Sequence, residues 1–135
     1  GRPFSDWHRE HREKREPWKV TQVALRWDRE ILYERINRRV DEMMAAGWIE
    51  ETRRLIADGY ERDIARLKAL GYREMAAYLR GETGLEEAAE ATRQHHRRYA
   101  KRQLTWFRKD PEIEWFTLPG QIAAAEERLR KFLNI

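Results

Sequence analysis

The hydrophobic pattern of this chain alternates between the period of a helix and the period of a strand. Larger apolar side chains occupy every second position near the end of residues 20–27, VTQVALRW, which is typical of a half-buried strand. A second, shorter candidate is residues 113–117, IEWFT. An isolated two-stranded sheet is marginal. We therefore expect these strands either to pair with something outside this chain or to be less regular than the pattern indicates.

Helical spacing predicts the other elements. In residues 29–46 the apolar positions share one face of a helix, formed by Leu32, Ile36, Val40 and Met43. Further helices are predicted over residues 48–57, 72–79, 85–109 and 121–133, with a short apolar segment that contains Ile64, Leu67 and Leu70. The predicted fold is therefore mostly α, with two short strands separated by the helices.

Local signals set the expected helix ends. Asp28 stands where an N-cap belongs, and its carboxylate is expected to accept a hydrogen bond from a free amide of the next helix. Thr83 and Glu86 have the spacing of a capping box at the start of the longest helix. Gly47 is placed to end the first helix, and Pro111 is placed to end the longest one.

The composition narrows the class of protein. Of 135 residues, 28 are Lys or Arg and 24 are Asp or Glu, so the net charge is only +4 and any attraction to a polyanion must come from local patches. The absence of cysteine excludes disulfides and thiolate metal sites. No apolar run approaches the ~20 residues of a membrane span. We expect a cytoplasmic protein with no membrane partner.

The opening residues, GRPFSDWHREHREKREP, are polar and basic, and the chain does not begin with Met. Such a segment is either a frayed tail or an arm, and we expect residues 1–17 to be an arm that connects residues 18–135 to an upstream part of the protein.

The most unusual segment is residues 93–109, RQHHRRYAKRQLTWFRK, which holds seven Lys or Arg residues and no acid. Aromatic rings lie among the cations, and this combination suits a polyanion with planar bases. Like charges four residues apart, such as Arg97 and Lys101, repel on a helix, and an anionic ligand would relieve the repulsion. The alternative is a half-buried helix with solvated cations. On one face of this helix the side chains are small near its start and polar or aromatic further along. These residues are Ala88, Thr92, His96, Tyr99, Gln103 and Trp106.

Two smaller groups of basic residues also allow either a solvated surface charge or contact with a phosphate group. Arg35 and Arg39 lie about 60° from the apolar face of their helix. Each guanidinium either lays its stem along the core with its head in water or reaches into a cleft to bind phosphate. The loop and glycine turn of residues 66–73 either carry solvated charges or touch a nucleic-acid backbone.

No pattern typical of a complete active site is present. His95 and His96 are adjacent, so their side chains point about 100° apart on a helix, without a flanking acid or cysteine. The sequence contains neither GxSxG nor GxxxxGK[ST]. We expect no catalytic residue and no metal ligand in this chain.

Three segments, in order and at plausible spacing, resemble a known family. They are LYERINRRVDEMMAAGWIEETRRL, LKALGYREMAAYLRGE and RRYAKRQLTWFRKDPEIEWF, and they resemble the C-terminal half of the tRNA dimethylallyltransferases, also called tRNA isopentenyltransferases. The opening GRPFSDW resembles the family's Gly-Arg/Lys-Pro segment. The resemblance implies the C-terminal portion of a P-loop α/β core of the nucleoside-triphosphate-hydrolase type, into which the strand in residues 20–27 would pair.

The resemblance also implies an activity for the complete protein. Such an enzyme transfers a dimethylallyl group from dimethylallyl diphosphate to N6 of adenosine 37, beside the anticodon of tRNA, with Mg²⁺ as the expected cofactor. The family's P-loop and catalytic aspartate belong to its N-terminal half, and this sequence contains neither. We therefore expect the chain to be inactive alone, to need that N-terminal half as a partner, and to hold no Mg²⁺ ligand.

Site residues follow from the same resemblance. Arg39 matches the arginine that reaches the diphosphate. The residues expected to bind the tRNA anticodon stem-loop are Arg66, Lys68, Gly71, Tyr72, Arg73, Arg98, Tyr99, Lys101, Arg102, Gln103 and Thr105. Lys101 and Arg102 are expected to hold phosphates. Tyr99 and Gln103 are better suited to stacking and hydrogen bonding.

Two other functions fit the sequence. The chain could be a stand-alone helical RNA-binding module without catalysis, whose affinity for an anticodon stem-loop would fall steeply as salt rises. It could also be a structural interaction domain that binds no RNA.

Overall fold

The computed structural model describes Pro3, Asp6, residues 19–66 and residues 69–135. The predicted connecting arm in residues 1–17 lies outside this range, apart from Pro3 and Asp6. Along the described chain the elements are β1 (Gln22–Trp27), α1 (Arg29–Ala45), α2 (Trp48–Ala57), α3 (Glu61–Arg66), α4 (Tyr72–Leu79), α5 (Leu85–Phe107), β2 (Ile113–Leu118) and α6 (Ile122–Leu133).

The two strands pair with each other in parallel. Gln22 is opposite Ile113 at one end of the ladder, and Trp27 is opposite Leu118 at the other. Strands in parallel need a crossover connection, and helices α1 to α5 supply it here. The alternative in which the strands are irregular is therefore wrong, and their pairing with each other was not foreseen.

The core lies where α2, α4 and the first half of α5 meet. Trp48, Met75 and Ala88 form its central cluster, and Met75 is completely buried. Thr92 is also completely buried, and its hydroxyl donates to the Ala88 carbonyl at 2.8 Å. Only the first half of α5 packs into this core, and in its second half Tyr99, Trp106 and Phe107 are all exposed.

The helix ends agree only partly with the capping and stop residues predicted from the sequence. Gly47 follows α1 with a φ of 96°, as its predicted stop position requires. Asp28 does occupy the N-cap of α1, but its side chain makes no capping hydrogen bond. The predicted capping box is wrong, because Gly84 takes the N-cap of α5 and leaves Thr83 one residue outside the helix. The Thr83 hydroxyl instead donates to the Glu87 carboxylate at 2.7 Å.

Candidate nucleic-acid interface

A groove of about 310 Å³ lies between α4 and α5, and it joins the two segments predicted to bind tRNA. Its lining residues are Ala69, Leu70, Arg73, Glu74, His95, Arg98 and Arg102. Arg73 comes from the first predicted segment, and Arg98 and Arg102 come from the second. We call this site the arginine groove. Each guanidinium offers a planar set of donors that matches a phosphate group.

The three arginines of the groove have charge available for a ligand. Arg73, Arg98 and Arg102 are exposed, and none of them forms an ion pair with another described residue. The guanidinium carbon of Arg102 lies 5.7 Å from the centroid of the Tyr99 ring. The groove thus combines uncompensated cations with an aromatic ring at its border.

Other arginines of the cationic run are already neutralised within the chain. Arg93 is mostly buried and donates to three carboxylates, those of Asp41 at 2.6 Å, Glu86 at 2.8 Å and Glu90 at 3.4 Å. Arg97 donates to Glu90 at 2.7 Å, so an acid of the same helix relieves its repulsion from Lys101. The hydrogen bond from Arg97 also lowers the pKa of Glu90. The interpretation of the whole run as one binding surface is therefore wrong at its start.

One carboxylate lies among the arginines. Glu74 has a side chain that is only 16% exposed, and its Oε1 lies 3.0 Å from Nδ1 of His95. A phosphate in the groove would therefore lie beside one carboxylate as well as three guanidinium groups. Helical spacing could have identified both residues, since Glu74 follows Arg73 directly and His95 lies one turn before Arg98.

His96 connects α5 to the turn that forms the opposite wall. Burial lowers the pKa of His96 below its ordinary 6.5, and this outweighs the opposing effect of a hydrogen bond to the Leu70 backbone. The imidazole is therefore neutral at pH 7. Its Nε2 is the one buried side-chain nitrogen or oxygen without a hydrogen-bond partner in the part of the chain that the structure describes.

Gly71 and Tyr72 hold the start of α4 in place. Gly71 is buried with a φ of 99°, a conformation that favours glycine. A Cβ at this position would overlap the indole of Trp48. Tyr72 packs edge-to-face against the same indole, with ring centroids 5.5 Å apart, and its hydroxyl donates to Glu51 at 2.8 Å. Both predicted tRNA-binding residues are thus engaged in packing beneath the groove.

The other predicted residues of α5 face different directions, because successive helix positions are about 100° apart. Lys101 and Thr105 line a second groove of about 370 Å³ beside the end of β1, together with Arg26, Arg29 and Arg108. Gln103 lines a third groove of about 410 Å³ between the sheet and α5. The Thr105 hydroxyl donates to the Lys101 carbonyl at 2.9 Å.

The remaining predicted residues lie apart from the arginine groove. Arg39 is exposed on α1, and its charge contributes to the lowered pKa of His96. Its neighbour Arg35 places its guanidinium carbon 4.6 Å from the centroid of the Trp27 ring. Arg66 is exposed at the end of α3, and Lys68 lies outside the described residues.

The described residues show neither a metal-binding cluster nor a membrane span. Within residues 19–66 and 69–135, no group of three or more His, Cys, Asp or Glu side chains is placed to hold a metal ion. No helix in the described chain has the length and apolar character needed to cross a membrane.

Known proteins resemble this chain along most of its length. A family model described as IPP transferase matches residues 1–110. The tRNA dimethylallyltransferase of Syntrophobacter fumaroxidans is 51% identical over 116 residues, which cover 86% of this chain and 34% of the relative. The tRNA dimethylallyltransferase of Geobacter sulfurreducens is 43% identical over 134 residues, which cover 99% of this chain and 43% of the relative. The chain therefore spans less than half the length of these relatives.

Two solved structures share the fold. The full-length tRNA isopentenylpyrophosphate transferase of Bacillus halodurans superposes with a TM-score of 0.77 at 36% identity, over 93% of this chain and 43% of that structure. The tRNA delta(2)-isopentenylpyrophosphate transferase of Staphylococcus epidermidis superposes with a TM-score of 0.73 at 30% identity. The match covers 96% of this chain and 43% of that structure. The predicted fold class, mostly α with two short strands, is confirmed. Because the family model covers most of the chain and solved members share its fold, this chain belongs to the IPP transferase family.

Proposed function

We propose that the protein containing this chain transfers a dimethylallyl group from dimethylallyl diphosphate to N6 of adenosine 37 in tRNA. The names of its relatives support the reaction class. The role proposed for this chain within that protein rests on the arginine groove, where Arg73 from one predicted segment meets Arg98 and Arg102 from the other. The chain's part is to hold the tRNA and to contact the diphosphate.

Phosphate contacts account for most of the proposed RNA binding. The arginine groove receives one part of the anticodon stem-loop backbone, since its three guanidinium groups have no carboxylate partner among the described residues. Lys101 and Thr105, in the second groove, contact an adjacent stretch of backbone. Arg66 adds charge at the end of α3, Lys68 adds a second charge two residues later in the sequence, and Gln103 supplies a hydrogen-bonding amide. Gly71 and Tyr72 act indirectly by holding the wall of the groove.

Prenyl transfer requires that N6 of the adenine bonds to the first carbon of the dimethylallyl group while the bond from that carbon to the diphosphate oxygen breaks. The N6 atom loses a proton, and negative charge develops on the departing diphosphate. Arg39 is proposed to stabilise that charge. The adenine is proposed to leave its base stack to reach the reacting carbon.

The other chemical groups are proposed to come from the N-terminal half of the enzyme. This chain contains no GxxxxGK[ST] loop, so we propose that it is inactive alone. We propose that the ligands of the expected Mg²⁺ also lie in the N-terminal half, and no step above depends on this ion. Since the substrate is tRNA, we propose that the enzyme works in the cytoplasm.

The test is to incubate the intact gene product with dimethylallyl diphosphate and an anticodon stem-loop that contains A36-A37-A38, and to measure the RNA mass. We expect one added prenyl group, and no addition when A37 is replaced by guanosine. Absence of the added mass on the adenosine substrate, with RNA binding intact, would overturn the proposed reaction.

A non-catalytic RNA-binding module is the second candidate, and the arginine groove favours it because all of its lining residues belong to this chain. That function predicts stem-loop binding that weakens steeply with salt, without any prenyl transfer. The same incubation, combined with a binding titration at several salt concentrations, separates the two functions.

A further inference from the structure

The exposed half of α5 carries an aromatic–cation–aromatic row beside the arginine groove. Tyr99, Arg102 and Trp106 are separated by three and four residues, so they lie on one face of the helix. Trp106 is 69% exposed and Tyr99 is 47% exposed. Arg102 belongs both to this row and to the lining of the groove, so the two surfaces are continuous.

Trp106 contacts another aromatic ring on one side. Its ring packs edge-to-face with Phe107, at 4.8 Å between centroids and 85° between planes. A single exposed apolar side chain is ordinary on a protein surface. Trp106 differs because its indole lies one turn from Arg102, a cation that lines a groove of about 310 Å³. A rigid aromatic surface next to guanidinium groups is the arrangement that binds single-stranded nucleic acid.

We propose that Trp106, together with Tyr99, forms a stacking surface for an unpaired nucleobase of the bound RNA, while Arg98 and Arg102 hold the adjoining backbone. Charge complementarity identifies this occupant, since RNA supplies a planar apolar ring and an anion from one nucleotide. A hydrophobic protein segment would cover the indole and leave the arginines without an anion. The proposal rests on the proposed RNA-binding function and adds a residue to it.

Stacking and phosphate contacts differ in their response to salt. Trp106→Ala in the intact gene product is expected to weaken stem-loop binding about 5- to 150-fold, the range for loss of one stacked base, without changing the slope of log affinity against log salt. Trp106→Phe should retain part of the affinity. Arg102→Ala should instead reduce the slope by about one. Tyr60→Ala, at an aromatic residue that is 53% exposed away from the row, serves as the control and should bind normally.

Abasic RNA identifies the contact. Each unpaired base of the loop is removed in turn, and the penalty of Trp106→Ala is expected to disappear at the one position whose base it stacks. The proposal fails if Trp106→Ala binds normally, or if its penalty is the same for every abasic RNA.

A melting experiment separates RNA stacking from burial of Trp106 by another part of the same protein. In the latter case Trp106→Ala would lower the melting temperature and would show no coupling to any base. Failure of the unmodified protein to bind RNA would overturn the proposed function itself, whereas normal binding that ignores Trp106 overturns only this inference.

Discussion

The α-carbon of Gly71 lies against the indole of Trp48 so closely that no side chain fits between them. Thr92 of α5 closes the same space, since its Cγ2 would lie 3.0 Å from a Cβ on Gly71. One glycine therefore sets the distance between α2, the start of α4 and α5. Because Arg73 follows two residues later, this contact also places the wall of the arginine groove.

Gly71→Ala is expected to destabilise the protein through two effects. The positive φ costs about 1–2 kcal/mol for a residue with a Cβ, and overpacking against Trp48 costs about 1–3 kcal/mol more. Gly47→Ala is the matched control, because its φ is 96° and nothing lies within 4 Å of a Cβ there. Urea unfolding measures both variants, and equal losses of stability would show that the contact with Trp48 is unimportant.

Substitution of Arg93 is expected to lower stability without changing RNA binding, whereas substitution of Arg98 is expected to weaken RNA binding without changing stability. Arg93→Ala leaves three carboxylates without their shared cation and removes the link from α5 to Asp41, so it should reduce the free energy of unfolding by about 1–2 kcal/mol. Arg98→Ala should change it by less than about 0.5 kcal/mol.

Stem-loop affinity provides the second measurement. Arg98→Ala should weaken binding and reduce its salt dependence, because a phosphate contact is lost. Arg93→Ala should bind normally under conditions where it is fully folded. If both variants lost the same affinity at equal folded fraction, the division of the cationic run into a structural part and a binding part would be wrong.

The buried imidazole of His96 predicts how stability changes with pH. Burial lowers its pKa in the folded protein below the ordinary 6.5, so the unfolded chain binds the proton more readily. The neutral His96 imidazole therefore contributes fully to the free energy of unfolding above pH 6.5. This contribution is lost as the pH falls from 6.5 through the lower pKa of the folded protein. Unfolding in urea at a series of pH values should show this loss.

Two variants test the assignment to His96. His96→Gln should flatten the pH dependence of stability below pH 6.5, whereas His95→Gln, at the adjacent and more open position, should retain it. An unchanged pH profile in His96→Gln would mean that another group is responsible.

Arg39→Ala tests the proposed diphosphate contact in the intact gene product. We expect turnover to fall by about 100-fold, as for other groups that stabilise developing negative charge, with weaker diphosphate binding and nearly unchanged tRNA binding. Arg38→Ala is the control, since this adjacent arginine is exposed and lies 3.6 Å from Glu42 as an ion pair. Loss of tRNA affinity at normal turnover would contradict the assigned role.

The sequence predicts elements better than it predicts contacts between them. The bounds of α2 and α4 agree with the ranges predicted from apolar periodicity, 48–57 and 72–79, because this signal acts within a few residues. The predicted capping box is wrong by one residue, since Gly84 and not Thr83 occupies the N-cap of α5.

The distribution of charge depends on contacts that no local pattern contains. Seven cations in one run resemble a uniform binding face, but Asp41, which lies on another helix, neutralises Arg93. The meeting of Arg73 with Arg98 depends on how α4 packs on α5, so helical periodicity alone could not predict the groove. The resemblance to a known family supplied that connection, and the structure supplied its geometry.

The parallel pairing of β1 with β2 has a consequence for the order of folding. Gln22 must find Ile113 across nearly the whole described chain, and closing so long a loop costs chain entropy before any ladder hydrogen bond forms. Contacts between neighbouring helices involve much shorter separations and can form earlier. We infer that the helical crossover assembles first and brings the two strands together, so that the sheet is the last part of the molecule to form.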